Sequence, residues 1–182
     1  MVDLSAARQP PALAPSAPVR LLPPAARLAL RGSSAVMKVA GAALGLNISD
    51  IACRSAQRDG LASLWLGPDE QLLLAPEGDG TKLAHTLQET LAGMRHSVVD
   101  ISHRQIAVEV TGASAPNILN VGCPLDLHPT QFPVGMCTRT ILGKADIVLW
   151  RTDRERFHIE VWRSFAAYVT RFLAEAARDP AV

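Results

Sequence analysis

Two cysteines and a histidine lie close together between Gly122 and Thr140, in the stretch GCPLDLHPTQFPVGMCTRT. Cysteine and histidine are common zinc ligands, so Cys123, His128 and Cys137 raise the question of a metal site. Structural zinc sites use tight pairs such as C-x2-4-C or H-x3-5-H, and neither is present. A reactive thiol at Cys123 is disfavoured because the negative end of a predicted helix dipole precedes it. We therefore expect buried cysteines that act as small apolar residues and no metal in this chain.

Ser102 and His103 are the residue types that make a nucleophile and its base. They lie at the end of a predicted strand, where successive side chains point to opposite faces and cannot easily bond each other. The sequence contains no GxGxxG, P-loop or HExxH motif. It therefore predicts no catalytic or cofactor-binding residue, and a structural or interface role for Ser102, His103 and Arg104.

Arginines are dense in the second half of the chain. A phosphate or carboxylate ligand would suit such guanidinium groups. The alternative, which the segment WRTDRER favours, is a solvated face or a subunit contact. Both interpretations stay open for Arg139, Arg151, Arg154, Arg156 and Arg163.

Composition limits the class of protein. The 182 residues are 48% apolar and 19% charged, which is typical of a folded domain. The net charge is +1 and no basic stripe alternates with aromatic residues, so we expect no nucleic-acid partner. No apolar run reaches the roughly 18 residues of a membrane span. Three cysteines do not make a secreted disulfide framework, which favours the cytoplasm.

The elements that would position these residues follow a repeated order. Each half reads as strand, helix, two strands, helix and strand or close to it, with an extra strand in the second half. This is the order of the split βαβ plait. We predict an α+β protein with two tandem ferredoxin-like plaits, residues 26–103 and 104–180, in one domain over 26–180. Predicted strands cover 27–31, 61–67, 70–77, 96–102, 105–112, 138–151 as a hairpin, and 156–162; predicted helices cover 33–45, 79–91, 114–121 and 164–176, with Ser164 as the last cap.

The first 25 residues differ from the rest of the chain. Six of the 13 prolines precede Ala25, and proline prevents a regular helix. We predict an extended arm over 1–25, whose apolar residues favour contact with a partner; a flexible tail is the alternative.

Several segments together resemble one known family. The stretch from Val98 to Gly122 resembles aminomethyltransferase-like, folate-binding proteins, in which an Asp-x-Ser strand leads to a strand, a glycine and a short helix. Four further segments carry a more specific likeness: SLWLGPDEQLLLAPEG, GCPLDLHPTQFPVGMCTRT, KADIVLWR and VWRSFAAYV. Together with that stretch, they make the chain resemble the gamma subunit of heterotetrameric sarcosine oxidase over roughly residues 61–176.

The resemblance implies an aminomethyltransferase-like fold and a place in an enzyme complex. Such complexes have alpha, beta, gamma and delta chains, demethylate sarcosine oxidatively to glycine, form hydrogen peroxide and pass the one-carbon unit to tetrahydrofolate. It implies that the gamma chain is non-catalytic and that FAD, FMN, NAD, tetrahydrofolate and zinc belong to the other subunits. A subunit of an N-methylglutamate dehydrogenase complex and a stand-alone folate-binding one-carbon protein remain alternatives.

The opening stretch then has a different interpretation. Its three prolines remove backbone donors and stiffen the chain, which indicates a rigid crossover between a helix and a strand. We expect it to present a fixed shape to the core or to a neighbouring subunit. The residues predicted to have structural or interface roles are Ser102, His103, Arg104, Cys123, Pro124, Asp126, Arg139, Arg163 and Ser164.

Overall fold

The computed structural model describes residues 18–178. Most of the predicted arm, residues 1–17, lies outside the described residues. The described chain has ten strands and four helices: β1 (Val19–Leu21), β2 (Ala25–Gly32), α1 (Ser34–Leu44), β3 (Ser55–Arg58), β4 (Leu61–Gly67), β5 (Glu70–Pro76), α2 (Gly80–Thr90), β6 (His96–Asp100), β7 (Gln105–Thr111), α3 (Ala115–Asn120), β8 (Cys137–Leu142), β9 (Ala145–Asp153), β10 (Arg156–Trp162) and α4 (Ala166–Ala176).

Residues 24–102 and 135–138 form the first of two compact units. Its five strands pair in the order β3-β4-β5-β2-β6. Helix α1 begins where the Ser33 side chain accepts a hydrogen bond from the Val36 amide, and it ends at Gly45 in a left-handed conformation. Both ends were predicted. Apolar side chains of α1 and α2 and of the sheet form one buried cluster that includes Leu28, Leu30, Val36, Leu73 and Leu87.

The second unit comprises, among the described residues, 18–23, 103–134 and 139–178. Its strands pair in the order β1-β7-β10-β9-β8, and its helices are α3 and α4. Phe157 and Ile159 of β10 and Val169 and Leu173 of α4 are fully buried. Alternating burial along β10 and helical spacing along α4 explain why these positions are apolar.

The two sheets share one plan except for a single strand. In the first unit, β6 follows α2 and pairs antiparallel with β2. In the second unit, β1 from the beginning of the chain pairs antiparallel with β7, the strand that corresponds to β2. Val19, opposite Val110, is only 1% exposed. Residues 19–21 of the arm are therefore extended as predicted, but they complete the protein's own sheet, where the sequence had suggested a partner.

The described structure differs from the sequence prediction at two further elements. Strand β3, SAQR, was not predicted because it carries no apolar alternation; it pairs with β4 at the edge of the sheet. Ser164 does not cap α4: a 3-10 turn over Arg163–Phe165 comes first, and Phe165 takes the cap position without a side-chain bond. The α+β class with two plait-like sheets is confirmed, while the boundaries at 25/26 and 103/104 stay predictions.

Candidate functional site

The crossover loop, residues 122–134, leads from the end of α3 towards β8 and is tied down by its own backbone. The Cys123 amide donates to the Leu119 carbonyl at 2.8 Å, and the Phe132 amide donates to the His128 carbonyl at 2.8 Å. The Asn120 side chain donates to the carbonyls of Cys123 and Leu125, at 3.0 and 2.7 Å. The loop therefore has a fixed conformation although it contains no regular element.

Arg151 holds the same loop from the inside. Its side chain lies on the face of β9 that also carries Ile147 and Leu149, and the residue is only 2% exposed. One guanidinium nitrogen donates to the carbonyls of Leu127 at 3.1 Å and Phe132 at 2.8 Å, and the other donates to the Arg154 carbonyl. Burial and the nearby charge of Arg154 lower the pKa of the Arg151 guanidinium. Its partners are backbone oxygens, so Arg151 fixes the backbone of the crossover loop.

Phe157 provides a further contact for the Arg151 guanidinium. The Arg151 guanidinium lies over the Phe157 ring, 5.0 Å from its centroid. The Phe132 and Phe157 ring centroids are 6.4 Å apart. A planar cation can thus satisfy carbonyls at its edge and contact an aromatic face at the same time. The prediction of a solvated face or ligand contact does not hold for Arg151. The sequence signal for its burial is the alternation along β9, in which Arg151 falls on the same inward-facing side as Ile147 and Leu149.

Cys123 and Cys137 are buried, 3% and 0% exposed, as expected. Burial raises the pKa of the Cys137 thiol to about 12, and its sulfur lies 3.7 Å from the Trp65 carbonyl oxygen. Burial also raises the pKa of the Cys123 thiol, which outweighs hydrogen bonds from Leu125 and Thr140 that lower it. Neither thiol is therefore an activated nucleophile near neutral pH.

The outer side of the crossover loop is polar and exposed. Pro124, Asp126 and His128 are exposed there. An Asp126 carboxylate oxygen accepts the His128 amide at 2.9 Å, and His128 Nδ1 lies 2.8 Å from the Thr130 hydroxyl. Asp126 therefore shapes a local turn, while its predicted structural or interface role stays a prediction. Arg139 is also exposed, on β8.

Ser102 belongs to a small hydrogen-bond network at the end of β6. Its hydroxyl donates to an Asp100 carboxylate oxygen at 2.6 Å and accepts the Arg27 amide at 2.9 Å. The hydroxyl has a single hydrogen, which it donates in the hydrogen bond to Asp100. That hydrogen does not point at a histidine that could remove it as a base. His103 is exposed. The Asp-x-Ser segment joins β6 to β2.

The arginine–tryptophan patch consists of Arg104, Trp162, Arg163 and Phe165. The Arg104 guanidinium carbon lies 5.8 Å from the Trp162 ring centroid, and the Arg163 amide donates to the Arg104 carbonyl at 2.9 Å. Trp162 is 49% exposed and Phe165 is 37% exposed. Ser164 is exposed beside them. The structure thus brings together three predicted interface residues, Arg104, Arg163 and Ser164, and adds two aromatic residues, Trp162 and Phe165, that were not among the predicted site residues.

Buried charges on β7 and β10 were also missed. Glu109 pairs with Arg20 at 2.6 Å and lies 3.7 Å from Arg156. His158 Nε2 lies 2.7 Å from a carboxylate oxygen of the fully buried Glu160. A glutamate inside each apolar strand, IAVEVT and FHIEVW, was the available sequence signal. Glu109 thus contacts arginines of the two neighbouring strands, and His158 and Glu160 contact each other along β10, which suits a structural role.

No group of three histidine, cysteine or acidic side chains able to hold a metal ion occurs within residues 18–178. None of the helices in that range has the length and apolar character that a membrane span requires.

The fold belongs to the aminomethyltransferase-like class. The chain superposes on the glycine cleavage system aminomethyltransferase T from Bartonella henselae with a TM-score of 0.66, over 88% of this chain and 48% of that enzyme. The two sequences are 16% identical, so the likeness concerns the fold alone.

A narrower relationship comes from sequence and structure together. A profile of the sarcosine oxidase, gamma subunit family matches residues 31–179, and the chain belongs to that family. The gamma subunit from Arthrobacter sp. is 34% identical over 148 residues, which cover 81% of this chain and 70% of that subunit. A chain of heterotetrameric sarcosine oxidase from Corynebacterium sp. U-96 superposes with a TM-score of 0.81 and 32% identity, over 87% of this chain and 82% of that one.

Proposed function

We propose that this chain is a non-catalytic subunit of a heterotetrameric sarcosine oxidase. In this proposal, alpha, beta and delta subunits carry out the oxidative demethylation of sarcosine to glycine, with formation of hydrogen peroxide and transfer of the one-carbon unit to tetrahydrofolate, in the cytoplasm. The observation that carries the non-catalytic role is the state of the candidate nucleophiles. Cys123 and Cys137 are buried with raised pKa values, and the Ser102 hydroxyl is committed to Asp100.

The shape of the site supports the same proposal. Arg151 fixes the inner side of the crossover loop, and Asp126 shapes its outer side. A loop with these constraints keeps its form without a bound ligand, which suits a surface that another subunit contacts. We expect FAD, FMN, NAD, tetrahydrofolate and zinc to be held by the other subunits.

Co-expression of this chain with candidate alpha, beta and delta chains tests the proposal. We expect the four chains to purify together and to form hydrogen peroxide from sarcosine. Omitting this chain should reduce the yield of assembled complex, whereas Cys123→Ala and Cys137→Ala should leave turnover per assembled complex within about twofold of the parent. Full assembly and full activity without this chain would refute a supporting role.

Calorimetry distinguishes a folate-binding protein from this subunit. The isolated chain should release no binding heat with tetrahydrofolate at micromolar concentrations. Micromolar binding by the chain alone would favour the folate-binding alternative.

A further inference from the structure

We propose that the arginine–tryptophan patch is the docking surface for another subunit, and that the docking partner contributes an acidic segment with at least two carboxylates. This inference rests on the proposed function, because it needs a complex in which the chain takes part. It adds the location of the contact and the chemistry of the partner.

Aromatic exposure is the first observation. Trp162 and Phe165, 49% and 37% exposed, lie three residues apart at the end of β10 and in the turn that follows. Burying large apolar side chains such as these in an interface is favourable, because it removes apolar surface from water. Tryptophan and arginine are also the residues most enriched among those that dominate binding energy at protein interfaces.

The patch is also held in place. Trp162 pairs with Gln105 at the end of the β7–β10 ladder, and the Arg163 amide bond to the Arg104 carbonyl extends that ladder by one step. Arg104 stacks over the Trp162 ring. A partner therefore meets side chains on an ordered backbone, which reduces the entropy lost on binding.

Charge defines the partner. Within residues 18–178, no carboxylate lies within ion-pair distance of the Arg104 or Arg163 guanidinium. The whole chain has a net charge of only +1, so this positive surface is local. A guanidinium group without a carboxylate partner selects carboxylates through bidentate hydrogen bonds, so each of the two arginines can take one. A second copy that docked through the same patch about a two-fold axis would bring like charges together, which disfavours self-association there.

The test compares matched variants in the co-expressed complex. Arg104→Glu/Arg163→Glu and Trp162→Ala alter the patch, and Arg95→Glu and Ile51→Ala are controls at exposed positions in the first unit. We expect each patch variant to bind the remaining subunits about tenfold more weakly or worse, and the controls to bind like the parent. Raising the salt concentration should weaken the parent complex more than an Arg104→Gln/Arg163→Gln complex.

A photocrosslinking residue at position 165 identifies the partner directly. We expect crosslinked peptides from another subunit that are rich in aspartate and glutamate. Neutral or basic peptides, or crosslinks between two copies of this chain, would overturn the inference. Thermal unfolding of the purified variants establishes that they fold, and the glutamine pair provides a milder substitution if the glutamate pair does not.

The outcomes separate the two proposals. If the parent chain does not assemble with the other subunits, the proposed function fails. If the parent assembles and the patch variants assemble equally well, the proposed function stands and the docking surface is wrong.

Discussion

At the scale of single residues, a buried cation determines the shape of the crossover loop. Arg151 donates to the carbonyls of Leu127, Phe132 and Arg154, which come from two separate segments of the second unit. A lysine at this position would carry the charge but not the planar arrangement of donors that reaches several oxygens at once. The loop's conformation therefore depends on a residue that lies outside it in sequence.

Replacing Arg151 with alanine should destabilise the protein by about 3 kcal/mol, because buried carbonyls lose their donor and space opens beside Phe157. Arg154→Ala is the matched control, since that side chain is exposed and only its backbone carbonyl is used. Urea unfolding measures both free energies. Equal stability of the two variants would show that the Arg151 hydrogen bonds contribute little.

At the scale of elements, a glycine lets α3, α4 and the β8–β9 turn come close together. A Cβ atom at Gly122 would lie 2.7 Å from ring atoms of Phe172 in α4 and 2.9 Å from the Gly143 backbone nitrogen. That nitrogen donates to the Gly122 carbonyl at 2.9 Å. The backbone contact leaves a side chain no room, so only glycine fits at this position.

Gly122→Ala should therefore lower the free energy of unfolding by about 2 kcal/mol or more, through overpacking. Gly67→Ala is the control, because its nearest atoms would lie 3.8 Å away and its backbone does not need a left-handed conformation. Chemical denaturation of both variants gives the comparison. A Gly122→Ala variant as stable as Gly67→Ala would contradict the close contact.

Local sequence patterns predicted most helices and strands, but they could not predict contacts between residues far apart in the chain. The ends of α1 follow from Ser33 and Gly45, because both caps are local. The pairing of β1 with β7 has no local signal, since it joins residues far apart in the chain. The same limit applies to the site: burial of Cys123 was predicted, whereas the oxygens that Arg151 binds and the stacking of Arg104 on Trp162 depend on the folded chain.

At the scale of the molecule, the position of β1 in its sheet suggests that this strand could be moved from the beginning of the chain to a place after α4. In the second unit, β1 lies beside β7. In the first unit, the corresponding place beside β2 is taken by β6, which follows α2 in the chain. Helix α4 also packs near β1. A strand attached after α4 would thus reproduce the chain order of the first unit.

Moving residues 18–23 from the front of a chain over 18–182 to its end should therefore preserve the fold. We expect a free energy of unfolding within about 2 kcal/mol of the unpermuted chain and the same far-ultraviolet circular dichroism. A chain over 24–182 without the strand is the control, and it should be less stable by about 3 kcal/mol or aggregate, because the edge of β7 is uncovered. Equal stability of that control would show that β1 contributes little.

The pairing of β1 with β7 also sets an order of events during protein synthesis. Arg20 of β1 and Glu109 of β7 are 89 residues apart. At about 10 residues per second, the ribosome needs roughly nine seconds to add that length of chain. During this time residues 24–102 of the first unit are synthesised, while β1, already made, has no β7 to pair with. The newborn chain must therefore keep β1 from aggregating or mispairing until the second half arrives.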